Sequence, residues 1–424
     1  MSRKRRIAFF GEAVTLAHAG RAAALSRMLD RNEYETCVIT APRYRHLLGE
    51  VERFVPLESM PTEVFLERLA KGKPIFDVNE LGAAVDEDWK ILSEWRPDLV
   101  VGDFRVSLSI SARRMSIPYL AIADSYWSPY AERRFPLSDV PLRRIGNRLA
   151  EALFERIAPF AFSFHTRPID AVRHRYGLPR VGHDLCAAYT DADYVAYADI
   201  PELIDKPCLP PTHDHIGPVL FEPEVPLPSW WDHLPARPSI YVALGTSGRL
   251  DMLPKIMSAF APLPVNLLVA SAGRQGAFST LEAAAGANSF HVFHAPFLPG
   301  GLTAARSSLV ICNGGSGTTQ QALRAGVPVL GIASNMDQLM NMEPIEKMGA
   351  GLTLGTWQAS DAKIRGASRR LLEEASFRTR AATLQTMIHR CDPHERFPAM
   401  IARLLGVHER PEHSRSWASI RAMS

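Results

Sequence analysis

Short apolar runs alternate with stretches of helical periodicity along most of this chain. In the first half, Arg6–Phe10, Thr36–Thr40, Leu99–Gly102, Tyr119–Ala123 and Tyr194–Ala198 are compact apolar runs, and each predicts a buried strand. Leu81, Val85, Trp89 and Leu92 recur at the spacing of one helix face, so that segment predicts an amphipathic helix. In the second half the predicted strands are Ser239–Ala243, Val265–Ala270, Phe290–Phe293, Leu309–Cys312 and Val329–Ile332. Helices are predicted between them near Leu253–Ala261, Thr318–Ala325 and Asn341–Met348. Strands that alternate with crossover helices imply an α/β class with parallel sheets.

The two halves are separated by a segment crowded with proline, Pro201–Pro238, which forbids a long helix or a central strand. A chain of 424 residues also exceeds what one hydrophobic core supports. Together these predict two domains, 1–205 and 238–392, joined by a linker at 206–237 and followed at 393–424 by a C-terminal helix and tail. From about Gly406 the chain has Arg and Ser without apolar periodicity, the composition of a disordered tail.

Composition narrows the class further. The hydrophobic and charged fractions, 46% and 22%, are those of an ordinary globular protein, and a formal net charge of +3 is too mild to indicate nucleic acid. The five cysteines are scattered without a CxxC pair, which reads as reduced thiols in the cytoplasm. After Ser2-Arg3-Lys4-Arg5-Arg6, the apolar run Ile7–Phe10 is cut by Gly11-Glu12 and is too short for a signal peptide. No apolar window approaches the roughly 18 residues that span a bilayer. Thr212-His213-Asp214-His215 resembles a metal pair but lies among prolines without further ligands nearby, so no metal site is expected.

Chemistry concentrates where Leu309–Cys312 runs into Asn313-Gly314-Gly315-Ser316-Gly317-Thr318-Thr319. A strand, a glycine-rich turn and a helix start aim unpaired N–H groups and a positive dipole end at one point, which suits a phosphate. Ser316, Thr318 and Thr319 can cap the helix or bond phosphate oxygens. There is no GK[ST] ending and no GxGxxG, so neither the Walker loop nor the dinucleotide fingerprint is present. Without a ligand, the same residues make a plain strand-to-helix turn.

This block, followed by Gln320-Gln321-Ala322-Leu323, Gly326-Val327-Pro328 and Asp337-Gln338, resembles the donor-sugar signature of the family 1 glycosyltransferases. The resemblance implies the GT-B fold, two Rossmann-like domains facing a central cleft, and Ile216-Gly217-Pro218 is similar to the step that opens the family linker. It implies an inverting sugar transfer from a UDP- or dTDP-sugar co-substrate to a small-molecule or lipid hydroxyl, with no metal and no other cofactor. His18-Ala19-Gly20-Arg21 resembles the family segment whose His is the general base, with Arg21 in place of the usual Pro. On this likeness His18 lies in the loop before a helix, and Asp103, closing a strand, holds its tautomer. Imidazole suits the task because its pKa is near neutrality. Read alone, His18 is a loop or cap residue and Asp103 a turn carboxylate.

The likeness extends to a donor pocket. Phe297 would stack on the base, with Leu298 beside it, and Gly245-Thr246 would reach the diphosphate. Asp337-Gln338 would accept hydrogen bonds from the sugar hydroxyls. Phe297 also reads as a core aromatic, and Asp337 as a helix cap. Two residues depart from the family: Asn313 stands where His is usual, and Gln321 where UDP users place Glu. Both departures also fit a non-catalytic nucleotide-sugar-binding partner, and the fold itself also serves sugar-nucleotide epimerases.

The acceptor side carries less. Tyr126, Trp127, Tyr130 and Phe135 cluster past a strand end and could wall an apolar acceptor. Arg133, Arg134, Arg143, Arg144, Arg148 and Arg156 then mix with Leu149, Leu153, Phe154, Ile157 and Phe160. Such a basic amphipathic stretch suits either an anionic membrane surface or a solvated helix packed on its own domain.

Overall fold

The computed structural model describes residues 3–132, 135–140, 142–143, 146–204, 209–274 and 291–407. Among them the strands form two sheets, each parallel throughout. The first holds β1 (Arg5–Gly11), β2 (Tyr34–Thr40), β3 (Phe54–Pro56), β4 (Leu99–Asp103), β5 (Tyr119–Ala123), β6 (Tyr194–Tyr197) and β7 (His213–His215), in the order β3-β2-β1-β4-β5-β6-β7. The second holds β8 (Ser239–Ala243), β9 (Asn266–Ala270), β10 (His291–Ala295), β11 (Leu309–Cys312), β12 (Val329–Ala333) and β13 (Gly351–Gly355), in the order β10-β9-β8-β11-β12-β13.

The apolar runs exist because both faces of each sheet are covered. In the first sheet, Ile7, Phe9, Val38, Leu99, Val101, Leu120 and Ile122 enter one core cluster. Their neighbours Ala8, Phe10, Cys37, Ile39, Val100, Tyr119 and Ala121 enter another on the opposite face. The second sheet divides in the same way, with Ile240, Val242, Leu267, Leu309 and Ile311 on one side and Tyr241, Ala243, Leu268, Val310 and Cys312 on the other.

The covering helices of the first half are α1 (Leu16–Arg27), α2 (Thr62–Ala70), α3 (Val78–Trp95), α4 (Leu108–Arg114), α5 (Asn147–Arg175) and α6 (Leu185–Tyr189). Those of the second half are α7 (Leu253–Phe260), α8 (Gly300–Ala305), α9 (Ser316–Arg324), α10 (Met336–Lys347), α11 (Asp361–Glu373) and α12 (Ala375–Arg390), and α13 (Pro393–Val407) follows. A capping box starts α3: Asp77 accepts from the Asn79 and Glu80 amides, and Glu80 accepts from the Asp77 amide. Leu81, Val85 and Leu92 are buried as the spacing predicts. Trp89 is not; it is 43% exposed, with the Arg114 guanidinium over its ring.

Two features extend past the predicted boundaries. His213–His215, inside the proline-rich segment, is an edge strand of the first sheet, where proline neighbours are tolerated. Helix α13 crosses back to the first domain, placing Phe397, Met400, Ile401, Leu404 and Leu405 in the core beside Ile7 and Phe9. The outward and returning chain crossings touch: Gly217, at φ +86°, sits so close to the Cys391 carbonyl that a Cβ there would lie 1.8 Å from it. Residues 408–424, most of the expected tail, lie outside the described residues, as do Phe290, Arg133, Arg134 and Arg144. No helix of the described residues is long and apolar enough to cross a membrane.

Candidate active site

The strands β1 and β4 end side by side, with Gly11 paired to Asp103. After Gly11 the chain turns sharply into α1, whose start presses on the strand end; a Cβ on Gly11 would meet the His18 carbonyl at 2.7 Å. His18 therefore stands in the first turn of α1, not in the loop before it as the sequence suggested. Its Nδ1 pairs with Asp103 Oδ1 at 2.8 Å. Phe104, bulky yet held at φ +57°, stacks on the imidazole at 5.0 Å and 16°. A bulky residue in the left-handed region costs energy and is found where a site demands it.

Arg21, one turn further along α1, is buried and grips the same carboxylate. Its Nε donates to Asp103 Oδ2 at 2.6 Å and its Nη2 to Oδ1 at 3.2 Å. Burial alone would push the Asp103 carboxyl up; the charge of Arg21, then that of His18, and hydrogen bonds from both outweigh it and hold the group below its ordinary value. The Arg21 Nη1 donates to Asp124 Oδ1 at 3.0 Å. Asp124 follows β5, and burial raises its pKa, opposed by Arg21 and reinforced by Asp199, Asp337 and Asp103.

From Asp124 the network crosses between the domains. Ser316 Oγ, at the start of α9, donates to Asp124 Oδ2 at 3.2 Å. The Tyr126 hydroxyl lies 3.2 Å from Asp124 Oδ2 and 3.1 Å from Asp337 Oδ1, and Trp127 Nε1 donates to Asp337 at 2.8 Å. Thr246 Oγ1 accepts from the Leu16 amide at 3.4 Å. His18, Asp103, Arg21, Asp124, Ser316 and Asp337 thus form one connected polar cluster at the C-terminal ends of both sheets, where open α/β folds hold ligands.

The donor-side residues converge on the start of α9. Its N-cap, Gly315, supplies no side-chain cap, so the first-turn amides face the cleft. Gly314, at φ +82°, lets the chain turn there. Gly317 is exposed and Thr318 half-buried; Thr319 bonds back to the Gly315 and Ser316 carbonyls. Gly245, at φ +63°, lies opposite Asn313. The Phe297 ring is half-buried beside Gly273 and belongs to no core cluster, which leaves it accessible for stacking.

Several side chains are engaged differently from expectation. Asn313 donates to Ser247 Oγ at 3.0 Å and accepts from the Gly315 amide at 3.1 Å, so it shapes the turn that leads into α9. Gln321 donates to the Phe221 carbonyl at 3.3 Å, tying α9 to the linker. Leu298 is buried in the core. Gln338 directs its oxygen to the Ser334 amide and hydroxyl, and its Nε2 has no partner among the described residues. Asn335, not Asp337, caps α10. Tyr126 and Trp127 bind Asp337 more directly than they wall a pocket. His213 pairs with Tyr197 and His215 with Asp199, so the histidine pair serves the edge strand.

A family model, Erythromycin biosynthesis protein CIII-like, C-terminal domain, matches residues 291–402. The PGL/p-HBAD biosynthesis rhamnosyltransferase of Mycobacterium bovis (strain BCG / Pasteur 1173P2) is 45% identical over 386 residues, covering 90% of this chain and 84% of that protein. The chain belongs to the family 1 glycosyltransferases. A second relative of this glycosyltransferase, the PGL/p-HBAD biosynthesis glycosyltransferase of Mycobacterium tuberculosis (strain ATCC 25177 / H37Ra), is 45% identical over 387 residues, or 91% of this chain and 89% of that one. Among solved structures, CalG4, the calicheamicin glycosyltransferase, superposes with a TM-score of 0.69 at 18% identity, covering 96% of this chain and all of that one. The fold is GT-B.

Sequence reasoning passed over two residues of this glycosyltransferase's polar cluster, Arg21 and Asp124, and Phe104 beside it. Arg21 was visible only as a departure from the family pattern, and Asp124 and Phe104 carried no signal. A charged residue between Ala19-Gly20 and Ala22-Ala23-Ala24 was the one available hint that α1 buries a cation.

Proposed function

We propose that this enzyme moves a hexose-type sugar, with rhamnose the first candidate, from a UDP- or dTDP-sugar to a hydroxyl of a small-molecule or lipid acceptor, with inversion. The name of the 45% identical relative supports a rhamnosyl group. The observation that carries the mechanism is the 2.8 Å pairing of His18 Nδ1 with Asp103. With Nδ1 so engaged, Nε2 is the basic nitrogen, which takes the acceptor proton as the oxygen attacks the anomeric carbon. Asp103, kept ionised by Arg21, stabilises the imidazolium that results. The uncapped amides of α9 receive the charge that develops on the departing diphosphate. Asp337 and Ser316 exchange their cross-domain partners for donor groups when the nucleotide sugar enters.

The test is nucleotide release from UDP- and dTDP-rhamnose and the corresponding glucose donors, with and without lipid extract. Transfer should require acceptor and should fall by roughly 10²–10⁴ in His18→Ala, with donor affinity little changed. Near-native turnover in that variant would remove His18 from the mechanism. Interconversion of the sugar without acceptor would indicate an epimerase, and donor binding without either reaction a non-catalytic partner.

A further inference from the structure

Five of the large hydrophobic side chains exposed among the described residues lie on one helix. Leu149, Leu153, Ile157, Phe160 and Phe164 of α5 are 62%, 39%, 38%, 77% and 47% exposed. At 3.6 residues per turn their spacing confines them to an arc of about 80°, and they run for about 22 Å along the axis. Exposed Arg156 and Arg167 fall on the same side, and exposed His174 and Arg175 continue it. Glu151 and Glu155 point to the opposite side, and Glu151 pairs with Arg143 at 3.1 Å. The outward face of α5 is therefore apolar and cationic with no acid on it. A soluble surface seldom leaves such a ridge bare.

Beneath the same helix is a cavity of about 620 Å³, walled by Phe135, Ala158, Phe162 and Val181, with exposed Glu155, His183 and Asp184 at its rim. This volume is within the ~300–1,000 Å³ of small-molecule sites. Exposed Pro159 places the cavity's mouth at the solvent edge of α5. At the other end, Ala158 and Phe162 pack in a cluster with Trp127 and Tyr189. Tyr189 meets Phe104 edge-on at 5.2 Å, and Phe104 stacks on His18. A chain of packed rings therefore links the cavity wall to His18.

We infer that the outward face of α5 rests on an anionic lipid surface, and that the cavity under it holds the hydrocarbon part of an amphiphilic acceptor drawn from that surface. The second clause rests on the glycosyl transfer proposed above; the first does not. Apolar side chains enter the headgroup boundary while the arginines meet lipid phosphates. A second copy of this chain fits the face less well, because a two-fold contact would bring the same cations together.

The experiment is sedimentation of the full chain with phosphatidylcholine vesicles, with and without phosphatidylglycerol. Wild type should partition to the phosphatidylglycerol vesicles. Phe160→Glu with Phe164→Glu should lower that partition about 100-fold, and Arg156→Gln with Arg167→Gln should abolish the preference for anionic lipid. These positions are exposed, so circular dichroism and melting should not change. The cavity is probed with fluorescent cis-parinaric acid, whose binding should be lost in Ala158→Trp; if that variant unfolds, Val181→Trp fills the space from the opposite wall. Absence of vesicle binding, equal binding by the ridge variants, or a wild-type dimer that those variants split would overturn the lipid-surface assignment. Parinarate binding unchanged in the folded filled variant would overturn the cavity assignment. Neither assay contains donor sugar, so an enzyme that binds lipid yet transfers nothing would count against the proposed reaction alone.

Discussion

Arg21 sits where the family usually has proline, and its effect on the proposed base, His18, can be isolated. Removing Arg21 alone would leave Asp103 and Asp124 buried without their cation, a loss of about 3–5 kcal/mol. Arg21→Met combined with Asp124→Asn removes one charge of each sign and keeps the interior balanced. In the native cluster, Arg21 Nη2 and His18 Nδ1 lie 3.2 and 2.8 Å from the same Asp103 oxygen, so the two nitrogens are no more than about 6 Å apart. Both therefore hold the same carboxylate, and Arg21 fixes the oxygen that orients the imidazole. A hydrogen bond to a charged group contributes about 1.5–3 kcal/mol, equivalent to roughly 10–150-fold in rate if all of it is felt in the transition state. Loss of the guanidinium grip should therefore lower kcat about tenfold or more. Initial rates of nucleotide release at saturating donor, with Asp124→Asn alone as control, measure this. A kcat equal to that of the control would refute the role given to Arg21.

Three further outcomes follow from the geometry. Gly217→Ala forces a Cβ to 1.8 Å from the Cys391 carbonyl at φ +86°, and should lower stability by about 3 kcal/mol or more; an unchanged urea midpoint would show that the crossings do not touch. Asn313→His removes the amide that joins Ser247 to Gly315, so affinity for UDP or dTDP by calorimetry should fall about tenfold; a rise would mean that the turn lacked only charge. Burial pushes His213 from its ordinary 6.5 down to about 4, so the unfolded chain takes up its proton first. Stability should therefore fall as the pH drops from about 6.5 toward 4, and His213→Gln should flatten that part of the melting curve.

What the sequence revealed follows burial. Strands covered on both faces, such as Ser239–Ala243 and Leu309–Cys312, are apolar runs and were legible to the residue. Phe54–Pro56, His213–His215 and Gly351–Gly355 were not, because all three lie at sheet edges, where one row of hydrogen bonds suffices and composition is free. The glycine-rich turn was readable because strand, turn and helix start are contiguous. The cluster at Arg21 joins side chains 82 and 103 positions apart, and no local pattern encodes that. For Asn313, Gln321 and Gln338 the residue types were plain, but their partners Ser247, Phe221 and Ser334 emerge only once the chain is folded. Along α5 the mixture of arginine and apolar residues was visible, whereas which side faces outward was decided by packing against α3 and α6.

Helix α13 completes the first domain's core with the last described residues of the chain, and this imposes an order on synthesis. A ribosome releases β1 well before α13, so Phe9 waits for Phe397, its ring neighbour at 6.2 Å, until the chain has been made past position 397. The second domain, continuous from β8 to α12, can close its own core first. The first then stays incomplete, with α1 packed beside Ile7, Phe9 and Val38 but the places of Phe397, Met400 and Ile401 unfilled, the exposure that recruits chaperones or leads to aggregation. A nascent chain halted before Pro393 should carry a folded second domain and an unfinished first, so the half made later matures first.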